Sequence, residues 1–157
     1  MSPSAQLILI FLQALQLLFL LVHDWLPLGR LNDVAAFRRT STPREMLLAL
    51  LVPSIPVATA FVLSIVYFRS SFPPWLRTWL CVTYGLLFLG ELESWWIHYA
   101  FGTSSARVER YQSLFSRTHS FLPPRHGIVP NTLHVILHVL TLTTVLLALL
   151  HRFGLLP

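Results

Sequence analysis

The chain reads as an all-α, polytopic integral membrane protein with four transmembrane helices in an antiparallel bundle. Three observations predict this. Of its 157 residues, 55% are hydrophobic and only 11% are charged, where soluble domains carry about one quarter charged residues. Long apolar runs stand at residues 7–22, 46–68, 76–99 and 133–150, each near the roughly 20 residues that span a bilayer. The polar residues inside those runs are few and fall at helical spacing.

The first span, about residues 6–23, follows "MSPSAQ", which lacks a basic leader. No small-x-small cleavage site comes after it, so it is expected to stay as a helix rather than leave as a signal peptide. The second, about 44–68, opens on "TPRE", a capping box with Thr42 as N-cap and Glu45 reaching back. Pro53 and Pro56 lie inside it and should kink it, with Ser54 a candidate partner for the freed carbonyls. The third, about 75–100, starts at the proline pair of "SFPPW", and the fourth, about 131–152, at "GIVPN". Together they make one domain, with long loops at 24–43 and 101–130. Within the second loop, Val108, Tyr111, Leu114 and Phe115 recur at helical spacing between arginines. They predict a short interfacial helix near residues 105–118.

All the basic charge is arginine; there is no lysine, and the formal net charge is +5. Eight of the eleven arginines fall in or beside the two long loops, which follow odd-numbered spans and so share a side. The positive-inside bias places those loops in the cytoplasm and both termini outside. Arginines beside spans suit anionic lipid headgroups rather than nucleic acid. The single cysteine, Cys81, excludes a disulfide or a cysteine metal site within one chain.

Ionisable groups gather at the cytoplasmic half. Asn131, His134, His138 and Thr141 form one stripe on the fourth span. Glu91 and His98 are seven residues apart on the third, nearly on one face with Trp95 between them, while Glu93 points away by about 200°. His23 and Asp24 end the first span, with Gln16 two turns above. Such groups are costly in hydrocarbon and persist where they face an interior, a wet cavity or a bound ion.

The leading reading is a membrane metalloenzyme or oxidoreductase acting on a lipid-soluble substrate. His134 and His138 present two nitrogens at i and i+4, and His98, His23 or Glu91 could complete a site for zinc or non-haem iron. A haem b would need His98 paired with His134 or His138. The alternative needs no metal: Glu91 and His98 act as acid and base, while Trp95, Trp96 and Tyr84 wall a quinone, sterol or polyprenyl chain. That chemistry resembles the small membrane sterol-isomerase superfamily, which also places carboxylates, histidine and tryptophan between helices. No motif of that superfamily aligns with this chain, so no residue role is carried over. Arg117, His119, Arg125 and His126 could hold a phosphate or carboxylate headgroup at the pocket mouth, with Asn131 a further substrate-binding candidate. A third reading makes the polar stripe an adhesive for a homo-oligomer or a partner, in a non-catalytic membrane subunit.

Overall fold

The computed structural model describes residues 2–155, and among these it is helical with no β-strand. The long helices are α1 (Pro3–Val22), α3 (Pro43–Val66), α4 (Pro74–Glu91) and α7 (Thr132–Arg152), and the short ones are α2 (Val34–Thr40), α5 (Ile97–Phe101) and α6 (Ser105–Phe115). By length and composition, α1, α3 and α7 can cross a membrane. The third expected span differs from the other three. It is helical from Pro74 to Phe101, but its composition is less apolar, because Arg77, Glu91 and aromatic residues interrupt the leucines.

Local chemistry explains the helix starts. Thr42 accepts from the Glu45 backbone N–H while Glu45 accepts from the Thr42 N–H at 2.7 Å, so the capping box forms. Asn131 caps α7 through the His134 N–H at 2.9 Å. Its side chain is buried. Asp33 caps α2, a helix that the loop sequence did not announce. The α6 helix lies where the amphipathic spacing put it.

Residues Leu92–Trp96, between α4 and α5, form one π turn, in which the Ile97 N–H bonds the Leu92 carbonyl five residues back. A π turn accommodates one extra residue and changes the phase of everything beyond it. Regular α-helical phase would have aligned Glu91 with His98; the π turn breaks that alignment.

The long helices pack α1 against α3 and α7, and α4 against α3 and α7. Contacts between their ends fix directions. Gln6, at the start of α1, donates to the Ser70 carbonyl at 2.7 Å and accepts from the Arg69 N–H at 2.8 Å, just past the end of α3. Phe72, before α4, sits edge-on to His151 near the end of α7, at 5.6 Å. His151 is therefore buried. At the other end the two long loops meet: α2 packs on α6, and the His119 N–H donates to the Arg30 carbonyl at 2.6 Å. Gly127 adopts φ +78°, and a Cβ there would come within 2.7 Å of Val108 Cγ1, so the loop lies tight on α6.

Polarity is inverted relative to a soluble fold. Gln6, Gln13, Gln16, Ser64, Thr141 and Thr144 are buried, whereas Leu7, Phe11, Leu51, Val52, Ile55, Val62, Val139 and Leu146 are exposed. So many large apolar side chains on the outside suit contact with lipid.

Candidate functional site

A cavity of about 670 Å³ lies among α1, α3, α4 and α7. Its apolar wall includes Leu20, Val52, Val57, Trp79, Leu86 and Leu137; its polar end holds His23, Asp24, Glu91, Ser94, His134 and His138. The α3 helix contributes Ala49, Val52, Pro53 and Pro56. Pro53 and Pro56 lack N–H groups, so the carbonyls of Ala49 and Val52 lose their usual intrahelical donors. Ser54 does not replace those donors; its buried hydroxyl has no hydrogen-bond partner among the described residues.

Glu91 is 7% exposed. Its Oε1 accepts from the Thr141 hydroxyl at 2.7 Å, while Oε2 has no partner among the described residues. Thr141 also lies 3.1 Å from Gln16 Oε1, and Gln16 Nε2 donates to Thr144 at 2.7 Å. These bonds tie α1, α4 and α7 into one buried network beside the cavity. Such interhelical bonds are worth about 0.6 kcal/mol each in membranes, so the network orients Glu91 more than it stabilises the fold.

Hydrogen bonding assigns the two histidines opposite tautomers. The Trp96 indole N–H can only donate, and it meets His138 Nδ1 at 2.9 Å, so neutral His138 carries its proton on Nε2. Asn131 Oδ1 can only accept, and His134 Nδ1 lies 2.6 Å from it, so His134 carries its proton on Nδ1 and keeps a lone pair on Nε2. The His134 ring lies among Trp95 at 4.9 Å, Phe115 at 5.5 Å and His23 at 5.5 Å. At the loop-side rim, burial raises the Asp24 carboxyl above its ordinary 3.8, with the His23 charge opposing.

The expected residues divide into two sets. His23, Glu91, Trp95, His134 and His138 converge on the cavity. His98 is turned elsewhere: its Nε2 bonds Arg107 and lies 3.5 Å from Glu93 Oε1, so the π turn separates it from Glu91 and from the histidine pair. Tyr84 is wholly buried in the apolar core rather than lining the cavity, and its hydroxyl is unpartnered among the described residues. Asn131 orients His134. His119 clamps the loop through the Thr132 hydroxyl at 2.7 Å, Arg125 lies over the Tyr99 ring at 5.7 Å, and Arg117 is exposed. None of the last three lines the cavity. A wide recess along α6, lined by Arg107, Glu109 and Arg110, shares no lining residue with the cavity.

Among the described residues, no group of three or more His, Cys, Asp or Glu side chains is arranged to hold a metal ion. Sequence reasoning missed the tie between Trp96 and His138, which depends on the π turn, and the contribution of α3. The Pro53 and Pro56 pair was the available signal for the latter. Compared with known proteins, the chain matches no family model, no curated protein and no solved structure.

Proposed function

We propose that this chain is a four-span membrane protein whose cavity binds a lipid-soluble molecule and exchanges a proton with it through Glu91. The carrying observation is the buried Glu91 carboxyl: one oxygen is held by Thr141, while the other is unpartnered, in a residue lining the cavity beside His134 and His138. A carboxyl so placed serves as acid or base once a ligand excludes water. The opposite tautomers put a base, His134 Nε2, and a donor, His138 Nε2–H, on the same wall. Trp79, Trp95, Leu86 and Val52 supply the apolar surface that a flat or chain-like molecule needs.

The fourth span is supported by the length of helix from Pro74 to Phe101 and by Trp75 and Leu89, exposed on α4 away from the cavity. Arginine placement favours the long loops in the cytoplasm, against anionic lipid headgroups.

A metal-dependent reaction is the second reading, and His134 Nε2 is the observation that favours it. Against it stands His138, whose two nitrogens are both committed when neutral, one to Trp96 and one to its own proton. The test is to purify the chain in mild detergent, measure metal content, and identify co-purifying lipids by mass spectrometry for wild type and Glu91→Gln. A defined apolar lipid at stoichiometric level, with no stoichiometric metal, supports the proposal. Stoichiometric metal lost in His134→Ala moves the assignment to the metal reading. Neither metal nor retained lipid refutes both.

A further inference from the structure

Proton exchange between helices needs a route to water. A second cavity, of about 120 Å³, opens on the loop side, and its lining includes His23, Asp24, Asp33, Asn131 and His134. His23, Asp24 and His134 line both cavities, so these three side chains form the partition between them.

The partition sets one imidazole nitrogen beside a carboxylate. The Phe19 carbonyl can only accept, so His23 Nδ1, 3.0 Å away, must hold a hydrogen. His23 Nε2 then faces Asp24 Oδ1 at 3.2 Å. A proton taken up at Nε2 makes an imidazolium beside the Asp24 carboxylate, so the pair can hold one proton at the rim. Asp24 is about one quarter exposed and His23 is 12% exposed, so the pair is reachable from the rim yet mostly shielded. Edge-on to His23, at 5.5 Å between ring centres, is His134 with its free Nε2 lone pair.

We propose that the His23–Asp24 pair is the proton port of the large cavity, passing protons between loop-side water and the polar group of a molecule bound there, with His134 as the neighbouring acceptor. This rests on the reading of that cavity as a site for a lipid-soluble molecule. In delivery the His23 Nε2–H bond breaks and its electron pair stays on Nε2. The proton forms a bond to the acceptor's lone pair, leaving neutral His23 beside the Asp24 carboxylate. A proton from water in the small cavity then restores the pair. Asp33 faces it from the small cavity, and Glu91 and His138 face it across the large one.

The test uses the full chain in dodecyl maltoside micelles with a heptadecyl hydroxycoumarin, an apolar chain carrying one titratable hydroxyl. Tryptophan-to-coumarin energy transfer reports occupancy. Gly90→Phe is the blocking control, since Gly90 lines the cavity and a Cβ there meets open space. A stopped-flow pH jump then reads protonation of the bound probe. The expected result is protonation slowed by at least about tenfold in Asp24→Asn and in His23→Gln, with occupancy unchanged and the rate largely kept in Asp24→Glu. Should Asp24→Asn fail to give monodisperse protein, His23→Gln and Asp24→Glu decide the matter between them. A bound probe whose rate is the same in His23→Gln and wild type overturns the port and leaves the cavity reading standing. Absence of energy transfer that Gly90→Phe removes overturns the cavity reading, and the port falls with it.

Discussion

Thr141→Val tests the buried network most directly, because it exchanges one hydroxyl for a methyl of similar size. The Thr141 hydroxyl has a single proton and three acceptors in reach: Glu91 Oε1 at 2.7 Å, Gln16 Oε1 at 3.1 Å and the Leu137 carbonyl at 3.1 Å. The Leu137 carbonyl already serves the helix, so the proton belongs mainly to Glu91, the closest. One interhelical bond in a membrane averages about 0.6 kcal/mol and reaches about 1.7. The substitution also leaves Glu91 without any partner among the described residues, since Oε2 has none, which pushes the cost toward the upper value. A loss of about 1.5 kcal/mol is expected in reversible unfolding by SDS in mixed micelles, followed by circular dichroism. The cycle is completed with Glu91→Leu. If the bond is real, Thr141→Val costs about 1 kcal/mol less in the Glu91→Leu background than in wild type. Strict additivity of the two losses would refute the reasoning, because it means the groups do not share a bond.

Trp96→Phe removes the donor to His138 Nδ1, so the 15N shifts of His138 should change from a single Nε2–H tautomer to a mixture; unchanged shifts refute the assignment. Gly127→Ala places a methyl in a left-handed conformation and against Val108. It should destabilise by about 1–3 kcal/mol, with Val108→Ala recovering part of the loss in the same unfolding assay. For Asp24, burial raises the folded carboxyl above its ordinary 3.8, so the folded state holds that proton more tightly than the unfolded chain. Stability from this residue is present at low pH and lost as pH rises through the folded carboxyl's range. Asp24→Asn should therefore gain on wild type as pH rises above the ordinary carboxyl value of 3.8, and a difference in unfolding free energy that stays constant with pH contradicts the assignment.

Much of the architecture was legible in the residues because apolar length and helix starts are local properties. Thr42 with Glu45, the Pro73–Pro74 pair, Asn131 and the 105–115 amphipathic pattern each act within one turn, and each marks a helix start or a short helix found in the structure. The gathering of His23, Glu91, His134 and His138 was legible for a related reason: buried polar side chains in hydrocarbon need company, and helical depth can be counted. His98 was misplaced because a constant 3.6-residue phase was carried through Leu92–Trp96, where the backbone changes its hydrogen bonding. Nothing in "LESWW" announces that change. The roles of Arg125 and His119 depend on how a thirty-residue loop folds back onto Tyr99 and Thr132, a long-range outcome with no periodicity to read.

The π turn also decides where this chain can change length. An extra residue held as a bulge can be removed while the helix on either side keeps its orientation, since closing the bulge restores ordinary bonding without turning the flanks. Loss of one residue within Leu92–Ser94 should leave Thr83 and Glu91 on one side, and Tyr99 on the other, where they stand now. The same deletion in the middle of α7 would turn all that follows by about 100°, taking Thr144 away from Gln16 and His151 from Phe72. Length variation among any relatives of this chain should therefore collect at the bulge and spare α7.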